Sequence, residues 1–345
     1  MISAVCPSPC LHGYNNYQRL PFSDGNTQHA TIYSSLAIDL ARCANLAADP
    51  TRLPDPVARE ERRRCFWSIC LLRRLHGQGF HLLDFTSQEN LANPPESTGV
   101  PPDIGNLISG TEARNIRGMQ DEGIVASVLL ISETFSRTAR YIKRRGKPND
   151  ILPWSPESEY SKIISLQMEG ETRMPYTHRF KYANLAEKSL EDLQNNRDYW
   201  GPWFLNQFLY HTILCILNHP LLLSVNLKNF HRMIPEIFLQ HSSDMIASHT
   251  NWIIYFIRYF DEKSFCVSDP FLGYCAAVVA TIELQLSFTE DSETRKNKEE
   301  RFEDCVKFVR GLGSHWPHMA QMVRGTWSFS YAFSDESHRR RNWRL

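Results

Sequence analysis

The sequence predicts an all-α protein built as a multi-helix array. Through most of the chain, apolar side chains recur at the three- and four-residue spacing of amphipathic helices. The alternation of apolar and polar residues that is typical of half-buried strands is almost absent. The 42% hydrophobic and 12% aromatic content is enough to form a large core, which argues against a chain that is disordered throughout.

The first predicted helix has one apolar face, whose residues fall at i, i+3, i+4, i+7, i+8 and i+11. They are Tyr33, Leu36, Ala37, Leu40, Ala41 and Ala44. Asp49 and Pro50 are predicted to close this helix. A short connection then leads to the second helix.

The second helix is predicted to begin with Asp55 as its N-cap and Pro56 in its first turn. Acidic side chains precede basic ones by three or four residues, which gives charge pairs along one face between Glu60, Glu61, Arg63 and Arg64. Its apolar stripe consists of Phe66, Ile69, Leu72 and Leu75. Gly77 and Gly79 are predicted to end it.

Further helices are predicted downstream. One covers roughly 118–145, and an apolar helix follows Pro202 and ends at Pro220. The next is marked by Ile246, Trp252, Ile253, Phe256 and Phe260. Residues 270–288 form another, and the last contains Cys305, Phe308, Val309 and Leu312. The polar stretch 289–301 is predicted to be a solvated loop or a helix start.

Composition divides the chain into three parts. Residues 1–28 are dense in Pro, Asn, Ser and Gly and are predicted to be an irregular lead-in. Residues 29–325 are predicted to be the helical domain, with a loop from Asn93 to Gly110. Residues 326–345 form a basic C-terminal tail.

Charge and cysteine usage limit the classes of function. Lys plus Arg equals Asp plus Glu at 38 each, whereas a domain that coats nucleic acid usually has a basic excess. The nine cysteines are scattered and contain no C-x-x-C pair, which is typical of a reducing compartment. The apolar run from Phe271 to Phe288 contains Glu283 and lacks basic flanks, so we predict a buried central helix and no membrane contact.

Residues 37–74 carry the most specific pattern: AIDLARCANLAADP, followed by PVAREERRRCFWSICLLRR. This stretch resembles the fungal-specific transcription factor domain, the middle homology region of fungal zinc-cluster transcription factors. The matching residues of the first helix are Ala37, Leu40, Ala41, Asp49 and Pro50. Those of the second are Arg59, Glu60, Glu61, Arg62, Arg63, Arg64, Phe66, Trp67 and Arg74. Arg73 stands where the family usually has an acidic residue.

A second, weaker match follows downstream and contains Leu209, Tyr210, His211, Ile216, Leu217, His219, Pro220 and Leu222. Its tail departs from the family pattern around Asn218, where the family's basic residue is missing. The resemblance covers about residues 30–325.

The resemblance implies a helical regulatory domain that is attached, in the family, to a DNA-binding cluster of two zinc ions. That cluster needs six cysteines with the spacing C-x2-C-x6-C twice, and these 345 residues do not contain it. Cys6 and Cys10 with His12 offer three ligands in a proline-rich lead-in, which do not make a closed tetrahedral site. We therefore predict no metal site and no cofactor.

Several residues admit a functional and a structural interpretation. Arg62, Arg63 and Arg64 could contact phosphate, but acids within one turn favour a solvated, paired helix face. Trp67 could line a ligand pocket, but aromatic residues at helical spacing are usually core. His211 and His219 are predicted to be buried, hydrogen-bonded histidines rather than a metal pair, because they lie two turns apart on one face.

The C-terminal tail contains a basic cluster of Arg339, Arg340, Arg341 and Arg344. A nuclear import signal, weak contact with nucleic acid and a merely solubilising tail all fit this cluster. The run Lys143, Arg144 and Arg145 is a second, weaker candidate.

No enzymatic motif is present, and no catalytic residue is predicted. The resemblance implies a nuclear regulator of transcription that acts through other regulators or a second copy, with a small-molecule effector and only indirect or weak contact with DNA. Family members of this type often control metabolic or secondary-metabolite genes. The alternatives are a partner that cannot bind DNA and acts by dimerisation, and a helical enzyme without a linear motif.

Overall fold

The computed structural model describes residues 27–48, 55–76, 93–95, 123–143, 151–228, 233–288 and 291–322. Within these ranges all regular structure is helical and no extended strand occurs, which confirms the all-α prediction. The predicted lead-in and basic tail lie almost entirely outside the described residues, so the domain boundaries stay predictions.

The α-helices, in chain order, are α1 (Thr27–Cys43), α2 (Pro56–His76), α3 (Gly123–Lys143), α4 (Glu159–Arg173), α5 (Phe180–Ala183), α6 (Leu190–Asn195), α7 (Arg197–Leu217), α8 (Pro220–Leu227), α9 (Glu236–Glu262), α10 (Pro270–Leu286) and α11 (Ser292–Leu312). Two short 3₁₀ turns, Tyr176–His178 and Leu185–Glu187, flank α5.

The helices belong to two compact units. The first unit contains the described residues of Asn26–Arg140 together with Ser161–Gln207. The second contains Phe208 onwards and the described residues of Tyr141–Tyr160. Helix α7 therefore contributes its first half to one unit and its second half to the other.

Helices α1 and α2 form a hairpin in the first unit. Ala37 and Ala41 of α1 pack against Cys65 and Ile69 of α2 in one buried cluster. The small alanine side chains allow a close approach of the two helices.

A left-handed residue, Asn45, ends α1. Its φ is 50°. The amide of Leu46 donates to the Ala41 carbonyl and the amide of Asn45 to the Arg42 carbonyl, each at 2.9 Å. This pair of bonds is a Schellman motif, which satisfies carbonyls that a helix end leaves free. The helix therefore ends by its own capping geometry at Cys43, before the predicted stop at Asp49 and Pro50, which lie outside the described residues.

The start of α2 agrees with the prediction. Asp55 precedes the helix and its Oδ1 accepts a hydrogen bond from the amide of Val57 at 3.0 Å, and Pro56 is the first helical residue. A proline costs nothing at this position because its missing N–H would have no partner inside the helix.

Helix α7 begins earlier than predicted, since it includes Pro202 in its interior. The proline removes one backbone hydrogen bond near the helix start, which is a moderate loss. Burial of Tyr199, Trp200 and Trp203 favours the longer helix. The helix ends at Leu217, and Pro220 then opens α8 instead of merely ending α7.

Helices α9, α10 and α11 pack together in the second unit, and every residue of α10 is buried or half-buried, in agreement with the central helix predicted for residues 270–288. A Cβ atom added at Gly273 would lie 2.7 Å from Met319 Sδ and 2.8 Å from Leu312 Cδ1. Glycine at this position therefore permits the close approach of α10 to the C-terminal end of α11.

The described residues of the polar stretch 289–301 form the start of α11, one of the two predicted alternatives. Asp291 caps the helix by accepting from the amide of Thr294 at 2.9 Å. Farther along α11, Phe308 stacks on Phe208 and Phe260, with ring centroids 6.4 and 6.0 Å away. These rings form an aromatic core for the second unit.

No single helix in the described ranges has the length and hydropathy of a membrane span. The pair α7 and α8, bent by 40°, passes that test together on length and composition alone. Most side chains of this pair are buried within the fold.

Candidate functional site

Arg62, the first arginine of the family-like motif, binds the end of α1. Its Nη2 donates to the carbonyls of Ala44 and Asn45 at 2.9 and 3.2 Å. Arg62 thus ties α2 to the carbonyl end of α1, where a positive charge is also favoured by the helix dipole. The prediction that Arg62 belongs to a solvated, acid-paired face is wrong for this residue.

Glu60 holds the other two arginines of the run. It forms half-buried ion pairs with Arg63 at i+3 and with Arg64 at i+4, the latter with Nε to Oε1 at 2.7 Å. The predicted charge pairs are therefore present, and Glu61 is also half-buried on this helix. Because these guanidinium groups are engaged within the hairpin, the motif favours a structural role over phosphate contact.

Trp67 and Arg74 lie near each other on α2, and Arg74 contacts α3. Trp67 is half-buried, not fully core as predicted, and its Nε1 donates to the carbonyl of Asn93 at 2.9 Å. The Arg74 guanidinium lies 5.8 Å from the centre of the Trp67 ring. Arg74 also pairs with Glu133 of α3, with Nε to Oε2 at 2.9 Å, and donates to the Leu129 carbonyl at 2.9 Å.

The ion pair between Arg74 and Glu133 explains how the chain accommodates Arg73 at the position where the family usually has an acid. The acid that pairs with Arg74 comes from α3 instead of the preceding residue. Among the other predicted site residues, Asp49, Pro50 and the tail residues Arg339, Arg340, Arg341 and Arg344 lie outside the described residues.

Replacing Arg62 with alanine is expected to lower the free energy of unfolding by about 1–2 kcal/mol, because two carbonyls at the end of α1 lose a charged donor. Arg62→Lys keeps the charge but not the planar fork and should recover only part of the loss. Urea denaturation followed by circular dichroism measures both variants. Equal stability of Arg62→Ala and the native chain would contradict the assigned role.

A buried histidine pair lies in the second unit. Nδ1 of His211, on α7, lies 2.8 Å from Nδ1 of His249, on α9. The Trp252 ring stacks on His211 with a centroid distance of 5.5 Å and an interplanar angle of 11°. One ring must donate and the other accept, so at least one histidine carries its proton on Nδ1. Burial, followed by the charge of His249, lowers the pKa of His211 well below 6.5.

His219 is buried, as predicted, but it does not lie on α7. It lies beyond the end of α7 and caps α8, where its Nδ1 accepts from the amide of Leu221 at 3.3 Å. Its Nε2 lies 3.0 Å from Thr281 Oγ1 on α10. His211 and His219 are buried and hydrogen-bonded, as predicted, but they do not share one helix face. Burial lowers the pKa of His219 to about 4.

Acid should destabilise the second unit through these histidines. His219 stays neutral in the folded chain down to about pH 4, whereas in the unfolded chain it gains a proton near 6.5. Stability is therefore full above about pH 6.5 and falls as the pH drops towards 4, by up to roughly 3 kcal/mol for this residue. Urea midpoints at a series of pH values measure the slope.

Two variants isolate the histidine contribution. His219→Asn keeps a capping side chain without a titrating ring and should give a shallower pH slope. His241→Gln, at an exposed position on α9, is the matched control, and an equally shallow slope in it would show that the effect is not specific to His219. The same slope in His219→Asn and the native chain would refute the assignment.

Asn218 is the centre of a second buried cluster of hydrogen-bonded polar side chains. It lies where the sequence departs from the family pattern. Its Oδ1 accepts from Tyr160 Oη and from Ser242 Oγ, each at 2.8 Å. Its Nδ2 donates to the Leu214 carbonyl at 2.9 Å. The amide thus joins three segments of the second unit and has partners for both its oxygen and its nitrogen.

Glu283 is the buried charge of α10, and its side chain is fully inaccessible. Arg301 Nη2 donates to its Oε1 at 2.8 Å, and Lys298 Nζ lies 3.0 Å from its Oε2. Arg301 also donates to Thr250 Oγ1 at 3.1 Å. Burial acts to raise the pKa of Glu283, but the Arg301 hydrogen bond and the charges of Arg301 and Lys298 outweigh it and lower the pKa.

The buried cysteines have the chemistry of small apolar side chains. Burial raises the pKa of Cys275 to about 12 and that of Cys70 to about 11, and it raises the pKa of Cys215 and Cys305 further. Thiols of this kind are poor nucleophiles because almost none is ionised near neutral pH. In the ranges that the structure describes, no three His, Cys, Asp or Glu side chains are grouped as metal ligands.

The polar clusters therefore hold helices together rather than present reactive groups. Sequence patterns could not identify the His211–His249 pair or the Glu283 cluster, because their members lie 38, 15 and 18 residues apart. The only signal was a single charged residue within the apolar run of α10.

Comparison with curated proteins finds similarity to fungal transcription factors. It is 21% identical over 310 residues to the Zn(2)-C6 fungal-type transcription factor FTF2 of Fusarium oxysporum f. sp. lycopersici, which covers 84% of this chain and 28% of that protein. It is 22% identical to the Zn(2)-C6 fungal-type transcription factor FTF1a of the same organism, over 77% of this chain and 26% of that protein.

A second organism gives a shorter match. The chain is 24% identical over 169 residues to an uncharacterized transcriptional regulatory protein of Schizosaccharomyces pombe, which covers 45% of the chain and 17% of that protein. The chain spans less than a third of the length of these curated relatives. No protein-family model matches the chain, and no solved structure matches it.

Proposed function

We propose that this chain, a relative of the Zn(2)-C6 fungal-type transcription factors, is a helical region that regulates transcription. The observation that carries the proposal is the extent of the match, which covers 84% of the chain and so includes both units. The motif residues Arg62, Glu60 and Arg74 support it, because they form the helix contacts that order the hairpin carrying the family resemblance.

The proposal assigns DNA binding to another segment or protein. The 345 residues lack the six-cysteine spacing and have no basic excess, and the arginines of α2 are engaged within the hairpin. The region would act in the nucleus through other regulators. The proposal also includes control by a small-molecule effector and nuclear import directed by the Arg339–Arg344 cluster. Control of metabolic or secondary-metabolite genes rests on the resemblance alone.

A reporter assay tests the proposal. The chain is fused to a heterologous DNA-binding domain in a fungal host, and transcription from a promoter with the matching site is measured. We expect output to rise or fall relative to the DNA-binding domain alone. The same output from both proteins, under every growth condition tried, would contradict the regulatory function.

The alternative is a partner that cannot bind DNA and acts by dimerising with a full-length relative. The missing cysteine spacing favours it, and expression of the chain should then lower the output of the relative's target promoters. Gel shifts of the purified chain with DNA over a salt series test both proposals. Each predicts weak binding that does not depend on the DNA sequence and is lost as the salt concentration rises. Tight, sequence-dependent binding would contradict both.

A further inference from the structure

Ser155 is followed by Pro156 in the short segment that leads into α4. The sequence has one other Ser-Pro pair, Ser8-Pro9, and no Thr-Pro pair. Proline-directed protein kinases modify a hydroxyl that is followed directly by proline, whose fixed φ and missing N–H distinguish it from every other residue. Of the two pairs, only Ser155-Pro156 lies in the described residues.

The Ser155 side chain is accessible, in contrast to that of the next serine. Ser155 is half-buried, and the two residues that follow it, Pro156 and Glu157, are exposed. Ser158 is only 2% exposed, and its Oγ donates to the Pro153 carbonyl at 2.7 Å. Ser155 is therefore the serine of this segment whose hydroxyl a second protein can reach.

Two successive turns set the backbone of this segment. The amide of Ser155 donates to the Leu152 carbonyl at 2.8 Å, and the amide of Ser158 donates to the Ser155 carbonyl at 3.0 Å. Protein kinases bind their substrates in an extended conformation, so these two hydrogen bonds must open before Ser155 can react. Short turns between helices open at a much lower free energy than a buried helix does.

Aromatic side chains attach the segment to α9 of the same unit. The Trp154 ring lies 5.2 Å from the Phe238 ring, and the Tyr160 ring lies 5.6 Å from it, both measured between centroids. Tyr160 also donates to Asn218 at 2.8 Å. Ser155 thus directly follows a residue that holds the segment in place by apolar contact.

We propose that Ser155 is a phosphorylation site for a proline-directed kinase and that its phosphate releases the segment from α9. The γ-phosphoryl group of ATP passes to Ser155 Oγ, the bond to the β-phosphate oxygen breaks, ADP leaves, and the hydroxyl proton passes to the catalytic base of the kinase. The product carries about two negative charges at neutral pH.

The surroundings of Ser155 disfavour these added charges while the segment stays packed. Glu157 and Glu159 follow within four residues and repel the phosphate. The aromatic contact between Trp154 and Phe238 offers no group that could compensate the charge. Like-charge repulsion and the need of the phosphate for water therefore both favour the released segment.

Phosphorylation of the purified chain tests the site. The full chain with Ser8→Ala is incubated with Mg-ATP and either a mitogen-activated protein kinase or a cyclin-dependent kinase, and phosphopeptides are mapped by mass spectrometry. We expect phosphate on Ser155, which Ser155→Ala abolishes. Pro156→Ala keeps the serine and should slow the reaction about tenfold or more. Ser165→Ala, at an exposed position on α4 without a following proline, is the control and should leave the rate unchanged.

Hydrogen–deuterium exchange tests the effect of the phosphate. In the phosphorylated chain the amides of residues 151–160 should exchange about tenfold faster than in the unmodified chain, because the segment opens more often. The amides of α10 should keep their rates. Equal exchange of residues 151–160 in both forms would contradict the proposed release.

A peptide of residues 149–161 completes the test of the site. Modification of the peptide but not of the folded chain would mean that the turns close the site to kinases. No modification of the peptide by either kinase would mean that the sequence is not a substrate. Both results would overturn the proposal, as would equal rates for Pro156→Ala and the native residue. None of these measurements depends on transcription, so the proposal can fail while the proposed function stands.

Discussion

Replacing Glu283 with alanine should lower the free energy of unfolding by about 3–5 kcal/mol, the largest effect expected of any single charge in the described residues. The variant leaves Lys298 and Arg301 facing one another with their side chains only 19% and 12% exposed. Removing one member of a buried ion cluster is costly because the remaining charges lose their compensation away from water. Urea denaturation at pH 7 measures the loss.

Two controls distinguish burial from charge alone. Lys307→Ala breaks an ion pair with Asp261 of similar length, 2.9 Å, but largely exposed to solvent, and should leave the urea midpoint unchanged. The triple variant Glu283→Leu, Lys298→Met and Arg301→Met removes all three charges and should recover most of the stability of the native chain. If Glu283→Ala behaves like Lys307→Ala, the cluster does not stabilise the second unit.

Replacing Trp203 with alanine should cost about 3–5 kcal/mol in the first unit. The side chain is fully buried, stacks on Phe180 with a centroid distance of 6.3 Å and contacts Trp200 edge to face. Its Nε1 donates to the His178 carbonyl at 2.8 Å. The loss therefore combines a cavity with a missing hydrogen bond.

The variant Trp203→Phe separates the effect of the cavity from that of the missing hydrogen bond. It keeps most of the ring volume but removes the donor to His178, so we expect a loss of about 1–3 kcal/mol. Urea denaturation followed by circular dichroism measures both variants. Equal stability of the alanine and phenylalanine variants would mean that the hydrogen bond, and not packing, dominates at this position.

The sequence predicted those parts of the fold that depend on local chemistry. Asp55 and Pro56 start a helix because capping and proline geometry act over a few residues. The buried helix α10 could be predicted because its apolar side chains surround the helix. The start of helix α7 was harder to predict. Pro202 by itself indicates a helix boundary, whereas burial of the aromatic residues beside it favours a longer helix.

Contacts between distant segments could not be predicted from periodicity. A pattern identifies the apolar face of a helix but not the helix that will cover it. The sequence pattern therefore predicted that His211 lies on a helix but did not indicate its partner, His249. It also predicted that the arginines of α2 pair with nearby acids, whereas Arg62 donates to a carbonyl at the end of α1. Likewise, the apolar face predicted for α1 combines buried alanines with exposed leucines.

The proposed function requires that a folded helical region of this chain carries the regulatory output. The most direct test is the reporter fusion carrying either Glu283→Ala or Lys307→Ala, with protein amounts matched by immunoblot. We expect Lys307→Ala to keep the output of the native fusion and Glu283→Ala to lose it as temperature rises through its lowered melting transition. Full output from Glu283→Ala above that transition would contradict this expectation, because the output would then come from an unfolded segment.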